Sequence, residues 1–550
     1  MSQLVAVSQP SFAGGELAPT IRARVDLAKY RVGLALCRNF LVMPGGGTAS
    51  RPGTKALLRS KQSAISAIKP RLIPFSYSTT QNYALEFGHL YMRVIYNGGY
   101  ALETGQSITS ITPGASTTIN KNAHGYSNGD WIYFYSVTGS VELNSSPGFV
   151  GVVSASGANS FTIVDIDGNA IDSSAWAAFI AGTMARIFTV VSPYDEDDLP
   201  LIKFAQNADT MTITHPSYSG RYLTRTAHTA WTFTTVSFVP LVQPPTGVTL
   251  TRTTAGSFLK QYAVSAVAEL TGEESVPSSI VDTTAAPTAS LNQDTGVGIR
   301  ITWTAPASGP TPDLYNVYAS RQWHNVLGAG GNGDVLGYIG SSETLAFTDV
   351  NIEPDFSLRP IATADITSTY GNFGCNTYFQ GRQFFAATTN YPQVLAASAV
   401  ANFKNFNEHQ ITRAEDPFVV QLLANQVNAI KHLVSLNSLI ALTGNGAWLI
   451  SGDGQDDAIT ALTVRARPQQ YNGCSDVPPL NVSSDVLYVQ ALGAKIRTLA
   501  YDFQTNIFTG TDITVLASHM FYGRTILETA YAEEPFSLVY TVRSDGVMPV

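Results

Sequence analysis

From about residue 70 onward the chain repeats one pattern, in which a polar turn leads into four or five alternating apolar residues, a tight turn, and a second such run. It is written in QNYALEFGHLYMRVIYNG (81–98), ADTMTITHPSYSGRYLTR (208–225), GRQFFAATTNYPQVLAAS (381–398), NSLIALTGNGAWLISGD (437–453), SDVLYVQALGAKIRTLAYD (484–502) and FSLVYTVRSDGVMPV (536–550). Period-two alternation bounded by turn residues predicts β-hairpins. Residues 1–60 read differently: FAGGELAPTIRARVDLAKYRVGLALCRNF predicts a short helix capped by Asp26, with Leu27, Tyr30, Leu34 and Cys37 near one face. The turns at Pro44–Gly47 and Arg51–Gly53 stop it.

Where the hairpins run uninterrupted their spacing is about 45 residues, the period of propeller blades, each of which buries its apolar face only against a neighbour. A set of unrelated hairpins in a sandwich is the other reading. Two stretches break the repeat. Residues 106–190 carry strand-like runs at 131–136, 148–153 and 161–166 and fit a small β-barrel or sandwich. Residues 244–355 carry YAVSAVAELTGEESVPSS (262–279), IRITWTAP (299–306) and LYNVYASR (314–321). These resemble a fibronectin type III domain, with Trp303 as the tryptophan between the sheets and Tyr315 and Tyr318 on the next strand. The hairpin that usually ends such a domain here precedes the tryptophan strand, so the order is permuted. The fold class expected is mainly β and multidomain. It comprises an N-terminal docking segment (1–60), a first propeller-like part (61–105 and 191–243), an inserted small β domain (106–190), a fibronectin type III-like β-sandwich (244–355) and a second propeller-like part (356–550) that is incomplete at its C-terminus.

Composition agrees. Gly and Pro number 45 and 28 in 550 residues, aromatics reach 10%, and charged residues are 13% against about 25% in ordinary soluble proteins. Many turns and a neutral polar surface follow. The formal charge is −8 with no concentrated Lys/Arg block, which argues against a protein that grips nucleic acid by its phosphates. The start lacks the pattern of an export signal, and no apolar run of about 18 residues is present to span a membrane. Cys37, Cys375 and Cys474 are too few and too scattered for a disulfide framework, as expected of folding in a reducing cytoplasm.

Motifs that carry chemistry find the wrong surroundings. Gly125-Tyr-Ser127-Asn-Gly129 matches a nucleophile elbow and His124 adjoins it, but Trp131–Tyr135 continues as a strand where a helix is required. Asp165, Asp167, Asn169 and Asp172 resemble a calcium loop whose glycine is misplaced and whose closing glutamate is missing. A hairpin turn is the simpler reading. The acidic run Asp195–Asp198 and the glycine-rich Gly330–Asp334 read as solvated loops. Nor are the histidines, among them His124, His215, His228 and His519, spaced as metal pairs. No catalytic, cofactor-binding or metal-binding residues are assigned, and no enzymatic activity is expected.

One resemblance spans most of the chain. Phe12-Ala-Gly14-Gly15-Glu16-Leu17-Ala-Pro19, Arg24-Val-Asp26-Leu27-Ala-Lys-Tyr30, Asn39-Phe40, Gly45-Gly46-Gly47 and Arg51-Pro52-Gly53-Thr54 resemble the start of the tail nozzle (tail tubular protein B-like) proteins of short-tailed bacteriophages. Further matches follow in order: His124–Asp130, Asp209–Pro216, Glu415-Asp416-Pro417, Thr511–Thr514 with Ala517–His519, and Val542-Arg-Ser-Asp545-Gly546. The resemblance implies a virion component in which six copies form a tube below the portal and adaptor rings, beside tail fibres or spikes, with double-stranded DNA passing through the lumen during ejection. It implies contacts to the adaptor or a neighbouring subunit from the N-terminal segment, for which Arg22, Arg24, Asp26 and Arg51 are the candidates; local capping and turn stabilisation is the competing role for these four. It also implies further chain after the Val-Arg-x-Asp-Gly strand. The alternative function is a multidomain β adhesin that recognises host surface glycans or proteins.

Overall fold

The structure is a computed structural model that describes all residues except 1–7, 23, 65–68, 79, 146–147, 240, 269–271, 285–286, 325–334, 362–365, 408–411, 424–428 and 455–456. The glycine-rich Gly330–Asp334 stretch therefore lies outside the described residues. Among those described, the one α-helix is the single turn Thr367–Tyr370, and strands make almost all the rest of the regular structure. The fold is mainly β.

Its recurring element is the four-stranded antiparallel meander. Lys203–Asn207, Thr210–His215, Tyr218–Ala227 and Ala230–Thr235 form one; Phe373–Phe379, Arg382–Thr388, Val394–Ala397 and Phe418–Gln421 another. Ile430–Ser435, Leu439–Thr443, Ala447–Ser451 and Arg465–Gln470 form a third; Leu480–Val482, Asp485–Val489, Ile496–Asp502 and Ile507–Thr509 a fourth. In a fifth sheet, Arg71–Ser76, Asn82–Gly88 and Tyr91–Tyr96 are followed in space by Thr189–Val191. The stretch between those last two strands thus leaves after the third strand of a meander and returns as its fourth. These are the propeller-like hairpin repeats. The tight turns that join them use left-handed residues, Leu90 (φ +56°) and Gln380 (φ +45°) among them.

The chain divides into two compact units, Met1–His215 with Gly220–Thr235 and Ser475–Val550, and Pro216–Ser219 with Val236–Cys474. In the first unit the strand Arg71–Ser76 alternates strictly: Arg71, Ile73 and Phe75 are buried while Leu72 and Ser76 are exposed. The inner face of its sheet packs on the 203–235 meander through aromatic edges, Phe75 against Trp231 at 4.8 Å, Tyr83 against Trp231 at 5.5 Å and Phe87 against Phe233 at 6.3 Å. The inserted stretch builds one seven-stranded antiparallel sheet without closing into a barrel; its centre is Trp131–Thr138, flanked by Gly151–Ser156 and Ala181–Arg186. Ile119, Ile132, Phe134, Phe161, Ile163 and Met184 fill its core.

In the second unit, the 373–421 and 430–470 meanders share one core of Phe384, Leu395, Leu439, Ala441, Trp448 and Ile450. The far side of the first is covered by an aromatic group in which Phe238 meets Phe373, Phe385 and Phe406 at 5.1–5.3 Å. The remaining domain is a two-sheet sandwich. Thr246–Arg252, Ile299–Thr304 and Ala346–Asp349 form one sheet, and Glu273–Glu274, Gln261–Ala268, Leu314–Ala319 and Gly337–Ser342 the other, with Val281–Asp282 beside Gln261–Ala268. This is the fibronectin type III-like arrangement with the Gln261–Asp282 hairpin lying, in sequence, between the first sheet's outer and central strands. Trp303 stands between the sheets with its ring 5.4 Å from Tyr315, whereas Tyr318 faces the other way and donates its hydroxyl to Glu274.

Two local expectations are corrected. The Asp26-capped α-helix is replaced by a 3-10 turn, Ala28–Val32, because the Asp26 carboxylate is taken by Arg24 and leaves the turn without a side-chain cap. The last hairpin is shifted: Leu538–Arg543 pairs with Ile526–Ala532, and the residues after Gly546 return along it only through the Val547 and Pro549 carbonyls.

Replacing Trp303 by Ala empties a sandwich core that nothing else can refill, and we expect a loss of about 3–5 kcal/mol of stability for that domain, read as a lower denaturant midpoint.

Candidate functional site

Among the described residues the N-terminal segment pairs only within itself, in two short ladders of which Phe40–Val42 with Thr48–Ser50 is one. Gly15–Glu16 runs parallel to Gly33–Leu34. A Cβ on Gly14 would stand 2.8 Å from the carbonyl oxygens of Lys29 and Val32, so that position requires glycine for the strands to approach, while one on Gly33 would displace the Leu17 side chain. This pairing aims the Glu16 side chain at two donors. One carboxylate oxygen accepts the Cys37 amide at 2.6 Å and the other accepts from His519 Nε2 at 2.9 Å. Beside it the amide of Ala18, itself fully buried, donates to the carbonyl of Leu516 at 2.8 Å.

The segment it meets is built just as locally. The Asp512 carboxylate accepts both the amide and the hydroxyl of Thr514 and lies 3.2 Å from Lys495 Nζ, while the Ile513 amide donates to Ile496. Two sequence motifs 500 residues apart, Gly14–Pro19 and Thr511–His519, are therefore one clasp in three dimensions. The sequence placed both in the same resemblance but gave no sign that they touch.

Arg24, Asp26 and Arg51 make contacts separate from the clasp. Arg24 and Asp26 form a bidentate pair at 2.8 and 2.6 Å with both side chains more than half exposed, which raises the guanidinium pKa and lowers that of the carboxyl through their mutual hydrogen bond. Such an exposed pair adds little to stability. Arg51 closes a turn, its amide on the Asn39 carbonyl and its guanidinium on the Asn39 side chain and the Pro52 carbonyl. Arg22 is exposed. So are Val25, Leu36 and Phe40, at 67, 58 and 53%. The charge of this region was missed in the sequence: residues 1–60 hold eight of the 32 Lys/Arg and two of the 40 Asp/Glu, a local +6 within a chain of −8. The whole-chain average hid it.

The other motif residues are occupied with the backbone. His124 Nε2 contacts the Gly157 carbonyl at 2.7 Å and its Nδ1 accepts the Tyr126 amide at 3.0 Å, while Ser127 donates its amide to Asp130. The nucleophile-elbow spacing is a turn. Asp165 accepts the amides of Asp167 and Asn169, which makes the calcium-like run a hairpin turn. Asp195 pairs with His89 and Glu196 with Gln62. Arg382 is 1% exposed and donates to the carbonyls of Ser398, Ala414, Glu415 and Asp416, so the Glu-Asp-Pro motif supplies main-chain oxygens to a buried cation. Asp545 holds Arg543 and Arg524 together, and these hydrogen bonds depress its pKa strongly. Among the described residues no group of three or more His, Cys, Asp or Glu is placed to hold a metal ion, and no helix is long and apolar enough to cross a membrane.

No family model and no curated protein matches the sequence. Among solved structures, similarity reaches a protein from Lactobacillus plantarum (11% identity over 80% of this chain and 94% of that one, TM-score 0.23), AztD from Citrobacter koseri (11%, 78% and 93%, 0.21) and Sqt1 from Saccharomyces cerevisiae (9%, 86% and 93%, 0.26). At these scores the likeness carries nothing about function.

Replacing Glu16 by Ala leaves the Cys37 amide and His519 without their acceptor; with charged hydrogen bonds worth about 1.5–3 kcal/mol each, we expect trypsin to cut at Arg22, Arg24 or Lys29 roughly ten times faster at an unchanged global midpoint. A second expectation concerns acid. His215 is fully buried with Asp198 3.7 Å away, and burial, the larger effect, lowers its pKa despite that carboxylate. The unfolded imidazole takes up its proton below about pH 6.5 while the folded one resists, so stability falls as pH drops from there towards the folded value. Denaturation midpoints between pH 7.5 and 5 should fall less steeply in H215Q than in the natural protein.

Proposed function

We propose that the chain is a structural subunit of the tail nozzle of a short-tailed bacteriophage, a ring-forming virion protein whose work is geometric, with residues 8–60 as its docking element. The observation that carries the proposal is the N-terminal segment itself. It bears the densest run of the family resemblance and concentrates positive charge in an otherwise acidic chain. It also exposes Val25, Leu36 and Phe40 among Arg22, Arg24 and Arg51, and it is clasped to Thr511–His519 rather than folded on its own. Exposed apolar side chains on a net-cationic segment suit an acidic protein partner, for which an adaptor ring is the expected candidate.

The remainder of the chain supports the conduit. Outside the first 60 residues the net charge is −14. A wall poor in cations offers few phosphate contacts, each of which would add a salt-dependent hold on duplex DNA sliding past. The six-fold ring, the adaptor and the virion location belong to this proposal, as does the absence of catalysis.

Electron microscopy of the particle or of the assembled protein tests it: a six-fold ring on the tail axis is expected, with subunit contacts above about 2,000 Å². A protein that remains monomeric beside its adaptor overturns it. Charge reversal in R22E/R24E should weaken adaptor binding, more so at low salt, while changing stability by less than about 0.5 kcal/mol because both side chains are exposed.

A further inference from the structure

The fibronectin type III-like sandwich contains a reactive arrangement that its fold does not require. Lys260, which precedes strand Gln261–Ala268, is 2% exposed and Asp349, the end of strand Ala346–Asp349, is 0% exposed. Lys260 Nζ lies 2.6 Å from Asp349 Oδ2. The two residues belong to opposite sheets of the sandwich. A primary amine this close to a carboxyl oxygen is within reach of the carboxyl carbon, near-attack separations being about 3–3.5 Å.

The surroundings supply the rest of an acyl-transfer site. Asp349 Oδ1 accepts two backbone amides, from Asn351 at 3.0 Å and Ile352 at 2.9 Å, the paired donors that stabilise a developing oxyanion. The Tyr262 hydroxyl donates to Oδ2 at 2.8 Å. Burial, and then the neighbouring carboxylate, raise the Tyr262 pKa well above its usual value, so this hydroxyl keeps its proton. The Lys260 amine also donates to the Ile352 carbonyl at 3.4 Å, a second contact that holds it in place. Attack starts from the neutral form of the pair, reached when one proton passes from Nζ to Oδ2 along their 2.6 Å contact.

We propose that Lys260 and Asp349 become joined by an amide bond that staples the two sheets. The neutral amine attacks Cγ, the negative charge that gathers on Oδ1 is held by the Asn351 and Ile352 amides, and the Cγ–Oδ2 bond breaks. Oδ2 leaves as water, carrying the carboxyl proton and one proton from the amine, with Tyr262 hydrogen-bonded to it throughout. Nothing is oxidised or reduced, and no co-reactant enters. The two residues are 89 apart in sequence, so the bond closes a long loop and restricts the unfolded chain much as a disulfide would, without an oxidising compartment. For a domain that meets mechanical load, such a bond prevents the sheets from separating.

The test is the intact mass of the denatured full-length protein, followed by peptide mapping. The expected result is a mass one water below that of the sequence, with a branched peptide joining Lys260 to Asp349 and no tryptic cleavage after Lys260. D349A should restore the full mass, and Y262F should leave a mixture of the two forms after the same time at room temperature. Full sequence mass in the natural protein after prolonged incubation in the folded state overturns the proposal, and so does a water loss that maps to any other pair. Because the decisive reading is made on the natural protein, a failure of D349A to fold leaves the test intact.

Discussion

Everything in this fold follows from one constraint: a strand that is buried on both faces must have a neighbour on each. Leu439–Thr443 and Ala447–Ser451 are buried at every position, and Arg382–Thr388 at all but one. Such strands cannot sit at a solvent-facing layer, so the meanders are obliged to stack. The shared core of Phe384, Leu395, Leu439 and Trp448 is the consequence on one side, and the Phe238, Phe373, Phe385 and Phe406 group is the consequence on the other. A propeller-like chain is what results when the same requirement is met repeatedly along one sequence.

Stacking buries polar groups that no ladder satisfies, and charged side chains meet part of that cost. Arg382 serves four carbonyls; Arg71 serves those of Leu199 and Ile202; Glu86 accepts the hydroxyls of Tyr91 and Tyr100. This explains why motifs that look chemical in the sequence turn out to be architectural. A histidine, a glutamate or an arginine in a low-charge chain is scarce, and most of those in the resemblance motifs are spent on backbone oxygen and nitrogen.

Much of the architecture was legible because it rests on local periodicity. The hairpins at 81–98, 208–225, 381–398, 437–453 and 484–502 all appear as adjacent antiparallel strands, and Trp303 occupies the sandwich centre. What was not legible depends on contacts far apart in sequence or on competition for one side chain. Ala181–Arg186 carries little apolar alternation and becomes a strand only because Trp131–Thr138 offers it an edge. Asp26 looked like a helix cap until Arg24 claimed it, and the tail after Arg543 turned back without forming a second strand. The Glu16–His519 clasp has no local signature at all. Nor has the Lys260, Tyr262 and Asp349 cluster, whose members lie on different sheets.

The interleaving of the two compact units bears on how the chain is made. A ribosome releases Val236–Cys474 in one piece, and that stretch has all its own strands before Ser475–Val550 is translated. The other unit waits. Its opening segment has its partner, Leu516 and His519, only after about 500 further residues have been made, so a nascent chain that stops short of them is left with a greasy, cationic segment and nothing to hold Glu16 and Ala18.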